Sequence, residues 1–281
     1  VKGRHKGVLG LYKLSREFKK KNIDAVADLH NVLRSKILKL FLFSIPFIQI
    51  DKGRKEKKKL VSGKVFSQLK TTHQRYVDVF SKLGFVVDLS KPKFPQKKVL
   101  DKEAKPYISK EKENIGIAPF AAFESKSYPL DLMEKVIRQL SKQYNVLLFG
   151  GGKREVEQLN KLADKYENTT NLAGKLTLDQ ELDIVSNLAV MLSMDSGNAH
   201  IAAMLGVKTI TLWGVTHPYS GFYPFNQNPN NTLLADRSIF PKIPTSVYGN
   251  KYPKDYEKAI GTITPNQIVE KIKKVKKNSL T

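Results

Sequence analysis

The sequence contains no cysteine. A disulfide-stapled scaffold is therefore excluded, as is any zinc site that needs thiolates. The absence fits a reducing compartment. Long apolar runs are also missing. Leu38 to Ile50 is the most apolar stretch, and Lys39, Ser44, Pro46 and Gln49 break it. Nothing approaches the roughly 20 residues that a membrane-crossing helix requires. The five histidines show no H-x-x-x-H or similar metal spacing. No G-x-S-x-G occurs, so a nucleophilic triad has no support. Acidic residues are scarce, at 26 Asp plus Glu against 49 Lys plus Arg, which leaves a net charge of +23. Such a chain is drawn to polyanions: nucleic acid, a phosphorylated glycolipid or an anionic leaflet. Lysine is spread along the chain, so a general solubility role accounts for the charge equally well.

What is present is a chain of 281 residues, 41% of them hydrophobic, enough for two domains with their own cores. Val8, Leu11, Tyr12, Leu14 and Phe18 share one face of a predicted helix over 8–20. Ile23 to Leu29 reads as a strand with Asp24 and Asp28 at its ends. A helix over 32–43, a strand over 47–50 and a helix over 68–83 follow. Lys52 to Lys59 reads as a mobile basic loop, and Lys91 to Lys105, with two prolines and six lysines, as a linker. The division is thus 1–105 for a first domain with its linker and 106–281 for a second. From Asn114 helices alternate with short apolar strands, which implies a parallel sheet covered on both faces. In such sheets ligands bind beyond the carboxyl ends of the strands. Thr216 to Tyr256 reads as irregular, and a basic helix runs from Pro265 to Lys277.

Four motifs lie at strand ends. Met194-Asp195-Ser196-Gly197-Asn198-Ala199-His200 follows a strand and opens a helix. Free N–H groups at a helix start suit a phosphate, Ser196 adds a hydroxyl, and His200 can point back to the same ligand. An Asp or Ser before a helix is equally an ordinary N-cap. Pro119-Phe120-Ala121-Ala122 leaves backbone N–H groups at a strand end. Lys126 then precedes Tyr128-Pro129, placed to act as a point charge on a diphosphate or as one more solvated lysine. Gly150-Gly151-Gly152-Lys153-Arg154-Glu155 is a glycine turn but not a Walker motif, because Arg154 stands where Ser or Thr is required. Glu155 suits a ribose or base contact, or merely the helix N-terminus. Trp213 to Pro218 can wall a pocket, with His217 read as a loop residue.

In this order the motifs resemble glycosyltransferase family 9, the ADP-heptose:lipopolysaccharide heptosyltransferases and their relatives. The resemblance rests on Lys126-Ser127-Tyr128-Pro129, Gly151-Gly152-Lys153-Arg154-Glu155 and Asn171-Leu172-Ala173-Gly174 through Leu178. Asp195-Ser196-Gly197-Asn198-Ala199-His200 and Val207 to Gly214 complete it. It covers Asn114 to about Phe225 well and extends more faintly to Ile23–Ser35. It implies an α/β fold of the GT-B type, two Rossmann-like domains facing across a cleft, the N-terminal one incomplete. It implies inverting, metal-independent transfer of a sugar, heptose by family default, from a nucleotide-diphosphate sugar to a lipopolysaccharide core or related glycan. No cofactor is implied.

By the same resemblance Lys126 stabilises the diphosphate together with the Ser196-Gly197 turn. Glu155 contacts the nucleoside, and Met194, Asp195 and His200 complete the donor site. The family's general-base Asp lies on an N-terminal strand and turn with no counterpart here, so the presumed base lies upstream of Val1. On the order of 60 residues are expected to precede Val1, two βαβ-sized pieces, and the chain as given is expected to bind donor more readily than to turn over. Ala121-Ala122 replaces hydroxyls that the family often carries there. Implied partners are an ADP-heptose donor, a phosphorylated glycolipid acceptor and an anionic membrane surface, with no nucleic acid. The implied location is peripheral, on the cytoplasmic face of a Gram-negative inner membrane. A basic nucleic-acid-binding protein and another nucleotide-sugar enzyme, such as an epimerase, are the alternatives.

Overall fold

The computed structural model describes residues 3–277. The chain divides into two compact units, one of Val1–Lys58 with Gln68–Pro92, the other of Lys59–Ser67 with Lys93–Thr281.

The first unit contains α1 (Gly7–Lys20), β1 (Val26–Asp28), α2 (Leu33–Phe41), β2 (Phe47–Gln49), the start of α3 (Arg54–Val61) and α4 (Thr72–Lys82). β1 and β2 pair in parallel, Val26 opposite Phe47. On α1 the buried line runs through Leu11 and Ser15, while Val8 and Tyr12 stand exposed, so the apolar face read from sequence is only half used. Asp28 is a strand-end structural carboxylate. Burial opposes its charge, but hydrogen bonds from Ser35, Gln49 and the Asn31 and His30 backbone outweigh that and hold its pKa below the usual value.

The expected basic loop at 52–59 is helical from Arg54 onward instead. Gly53, at φ 61°, turns the chain into α3, and a Cβ there would lie 2.3 Å from the Arg75 guanidinium. The buried Arg75 donates to Glu56 at 2.6 Å, and to the Asp51 and Lys70 carbonyls at 3.2 Å each. Leu60 supplies a buried apolar position that a lysine run conceals. A helix needs only such an anchor and a tie at its first turn.

The second unit holds β3 (Asn114–Ala118), α5 (Leu130–Leu140), β4 (Asn145–Leu148), α6 (Gly152–Ala163), β5 (Thr169–Asn171), α7 (Leu178–Ser186), β6 (Val190–Met194), α8 (Gly197–Met204), β7 (Lys208–Trp213), β8 (Thr232–Leu234) and α9 (Pro265–Lys277). The sheet order is β5-β4-β3-β6-β7-β8, and every pairing is parallel. Side chains alternate across a strand. Ile115, Ile117, Val146 and Leu148 therefore join one core with α5 and α9. Ala118, Leu147 and Phe149 join the opposite core with α7 and α8. β8 is three residues long and lies inside a Pro- and Asn-rich stretch expected to be irregular. Residues 93–105 are not a free linker. Ala104 is fully buried in the second core, and Lys98 bonds Ser186 and Asn187 through its N–H and carbonyl.

The order reverses at β3, whose connection leads to β4 on one side while β6 lies on the other. This is the topological switch point, where loops diverge and leave a crevice. β3 itself is packed tightly, since a Cβ on Gly116 would come within 2.5 Å of Leu188 Cδ1 and 3.0 Å of Met191 Sδ. Gly116→Ala is expected to lower stability by about 1–3 kcal/mol through overpacking, read as a reduced urea midpoint with an unchanged m-value.

Candidate active site

Lys126 closes a short 3-10 turn, Glu124–Lys126, after β3 and is held from both ends. Ser125 Oγ donates to the Gly249 carbonyl at 2.6 Å, which draws the 245–251 segment against the lysine. Gly249 is at φ +85°, and a Cβ there would stand 2.8 Å from Lys126 Cγ and Cδ. The lysine stem thus runs along a backbone that only glycine leaves open. At its tip the ammonium donates to the Asp195 carbonyl at 2.7 Å and lies 3.3 Å from Asp195 Oδ2. Both side chains are close to nine-tenths buried. The same carboxylate oxygen accepts from Thr216 Oγ1 at 2.9 Å. Three strand ends, those of β3, β6 and β7, are joined through one carboxylate. An ammonium has three protons, and Asp195 engages no more than two.

Ser196 occupies the N-cap position of α8 without capping it by its side chain. Its hydroxyl instead meets Ser193 Oγ at 3.0 Å. Among the described residues no side chain is recorded accepting from the first N–H groups of α8, the condition under which a helix start attracts an anion. Gly197 lies at that start, and a Cβ added there would meet nothing within 4 Å. The fold places no demand for glycine at 197.

Beside this turn is a cavity of about 270 Å³ at the switch point. Its walls include Phe120, Phe149, Gly150, Glu155, Ser196, Gly197 and Ile201. Apolar walls with a few convergent polar groups suit a small organic ligand. Glu155 Oε2 accepts from the Gly151 N–H at 2.8 Å, so the carboxylate braces the glycine turn while facing the cavity. Gly150 is needed there, since its Cβ would press on Leu159 and Glu155.

Of the residues expected at a donor site, Glu155, Ser196 and Gly197 line the cavity. Lys126 and Asp195 form the adjoining ion pair, and His200 lies within electrostatic range of both. Met194 differs. Its side chain is wholly buried in the core, so only its backbone stands at the strand end, and its side chain is not a ligand contact. Of the N–H groups expected to be free after β3, that of Ala121 is taken by Ser127 Oγ at 3.1 Å. Thr216, Ser193, Ser125 and Gly249 were not singled out from sequence as site residues. Their parts come from tertiary pairing, and only the position of Thr216 beyond β7 signals a link to the loop beyond β6.

Burial lowers the His200 pKa. The negative charge of Asp195 opposes this, and the positive charge of Lys126 adds to it. The imidazole is neutral near pH 7. His217 is more strongly shifted. It is buried, its Nδ1 accepts from the Tyr219 N–H, and burial with the nearby Arg237 takes its pKa down to about 4.

The sequence profile of Glycosyltransferase family 9 (heptosyltransferase) matches residues 11–249. The chain belongs to glycosyltransferase family 9. Lipooligosaccharide heptosyltransferase 2 of Campylobacter jejuni is 28% identical over 174 residues, 60% of this chain and 52% of that protein. The lipopolysaccharide core heptosyltransferase OpsX of Haemophilus influenzae is 29% identical over 232 residues, 76% of this chain and 62% of that protein. The chain spans about half the length of the first of these relatives. The solved family 9 glycosyl transferase of Veillonella parvula superposes with a TM-score of 0.70 at 18% identity, over 99% of this chain and 80% of that one. The ADP-heptose LPS heptosyltransferase II of Escherichia coli gives 0.64 at 20% identity, over 96% and 82%. The fold of this family 9 chain is therefore α/β of the GT-B type. Among the described residues no cluster of acidic, His or Cys side chains suits a metal, and no helix is long and apolar enough to cross a membrane.

Two outcomes follow from the histidines. Asp195→Asn is expected to move the His200 pKa further down, since the charge that raises it is gone; NMR titration of the ring protons reads this. His217 takes up a proton near pH 6.5 when unfolded and near 4 when folded. Its contribution is present above pH 6.5 and is lost as pH falls toward 4, by about 3 kcal/mol in all. Urea melts across that range should be flatter for His217→Phe.

Proposed function

We propose that the protein is a glycosyltransferase that moves a heptose from ADP-heptose to a lipopolysaccharide-core or related glycan acceptor, with inversion. The observation that carries this reading is the Lys126 ammonium, fixed by Asp195 beside the uncapped start of α8 at the sheet's switch point. In such a reaction an acceptor hydroxyl oxygen attacks the anomeric carbon. The bond from that carbon to the diphosphate oxygen breaks, and negative charge grows on the leaving diphosphate. Fixed positive groups aimed at that charge lower the barrier more than they aid ground-state binding. Lys126 and the first N–H groups of α8 supply such groups without a metal. The adenosine occupies the cavity beside Glu155, between Phe120, Phe149 and Ile201. Ser196 and Gly197 face the phosphates, and His200, neutral, donates or accepts at the sugar or phosphates. Asp195 is assigned to positioning Lys126. The proton of the acceptor hydroxyl goes to a base, and no residue of this chain is assigned that role.

The partners in this reading are ADP-heptose, a phosphorylated glycolipid and the anionic cytoplasmic surface of a Gram-negative inner membrane. The net charge of +23 supports the last two, since each cation near such a surface contributes about 1 kcal/mol. Salt-sensitive co-flotation with anionic vesicles is the expected result.

The test of the donor site is calorimetry with ADP, UDP and GDP. ADP should bind selectively. Lys126→Ala should abolish binding, and Gly197→Val should weaken it at least ten-fold with an unchanged melting temperature, because the fold leaves that Cβ in open space. Equal binding of all three nucleotides, or full binding by Lys126→Ala, would overturn the assignment.

A further inference from the structure

A second cavity, of about 350 Å³, lies in the second unit at the far end of β7 from Lys126. Lys208, the first residue of β7, lines it. Thr216, beyond the last residue of that strand, reaches Asp195. The strand between them is about 17 Å long by the usual rise per residue. The two cavities share no lining residue.

The loop that forms one wall is built from amides, most of them already engaged. Gln227 Oε1 accepts from the Thr209 N–H at 2.8 Å, and its Nε2 donates to the Val207 carbonyl at 3.3 Å. Gln227 thus ties the loop to the start of β7. Asn228 Oδ1 accepts from the Asn230 N–H at 2.9 Å and opens the short 3-10 turn Pro229–Asn231. Asn231 is different. It lines the cavity and is only 9% exposed. Among the described residues its side-chain amide has no hydrogen-bonding partner, and neither has Asn228 Nδ2. The apolar part of the lining comes from Phe94 and Val275. The Phe94 ring stands 6.3 Å from that of Phe225. It also lies against Gly206 at φ +77°, where a Cβ would come within 3.0 Å of its Cγ.

A primary amide offers an N–H donor and a carbonyl acceptor side by side in one plane. Left unpaired inside a protein, it is costly. A ligand that satisfies both functions at once presents an acceptor beside a donor in one plane, as the edge of a nucleobase does toward asparagine. The faces of such a base are apolar and suit an aromatic ring. A sugar carries a hydroxyl on almost every carbon, and the few open polar groups here would leave most of them unpaired. A bare anion would find one cation in the lining, Lys208, which already has a partner.

We infer that this cavity binds the base of a nucleoside. Asn231 pairs with its polar edge, Asn228 Nδ2 donates to a further acceptor, and Phe94 covers its face. The site is separate from the donor cavity and does not depend on the transferase reading.

The experiment is an NMR titration of the ¹⁵N-labelled chain with adenosine, uridine and methyl α-D-glucoside. Expected are saturable shifts at Gly206, Lys208, Asn226 and the Asn231 side-chain amide with at least one nucleoside, and none with the glucoside. The Lys126→Ala chain should respond equally there. Signals of Gly151 and Gly197 report the donor cavity separately, so their silence would count against the donor reading alone. Asn231→Leu, which removes both amide functions, should weaken the response at least ten-fold. Asn228→Asp keeps the oxygen that caps the turn and removes only Nδ2. It should weaken the response several-fold with an unchanged melting temperature, and it serves as the test if Asn231→Leu fails to fold. A short oligoadenylate distinguishes the source of the base: tighter binding through the same residues marks a strand, equal or weaker binding a free nucleoside. Equal response to the glucoside, no response to either nucleoside, or shifts that survive both Asn substitutions would overturn the inference.

Discussion

Lys126 and Asp195 are 69 residues apart in sequence, yet one bond of 2.7 Å joins the ammonium of the first to the carbonyl of the second. The loops beyond β3 and β6 diverge at the point where the strand order reverses, and nothing in the sheet itself fixes their separation. The lysine fixes it. Asp195 then reaches the β7 side through Thr216, so one residue ties three loops together. Each member of the group is buried, and a buried charge is tolerated only with a partner. The cavity, the α8 start and the Gly249 segment all take their positions from that arrangement.

Much of the second unit was legible in the sequence. α9 matches its expected span to the residue and β3 opens at Asn114 as expected, because a helical period after a proline, or a strand buried along its whole length, leaves little choice. Lys126, Glu155, Ser196 and Gly197 stand at strand ends where the alternation of strands and helices put them. The failures have physical causes. α3 was hidden because its run of lysines gives no apolar period, and its stability comes from Leu60 and from Arg75, more than a dozen residues away. β8 is an edge strand of three residues and needs only its neighbour's backbone. Met194 belongs to a strand whose every residue is buried, so periodicity could not separate site from core. Thr216, Ser193 and Gly249 act through atoms brought together by the fold, for which one sequence carries no signal.

The charge is likewise not uniform in effect. Most lysines are solvated, but Lys57 is buried, and its pKa falls to about 8 through burial and the nearby Arg75 and Lys52. A chain so rich in cations bears some of its own repulsion inside. Arg75 answers this with three hydrogen bonds to Glu56 and two carbonyls, and the pair Lys126–Asp195 shows the same economy at the site.

That pairing has a consequence for discrimination. A lysine whose charge is already balanced by a carboxylate exerts little pull on a lone phosphate ion drifting past, and cells hold that ion in abundance. The uncapped start of α8 has only partial charge to offer by itself. A ligand gains substantially only if it touches both at once, which needs two linked phosphoryl groups of the right span. On the donor reading proposed above, the internal ion pair acts as a filter that rejects small competitors by leaving them nothing to bridge.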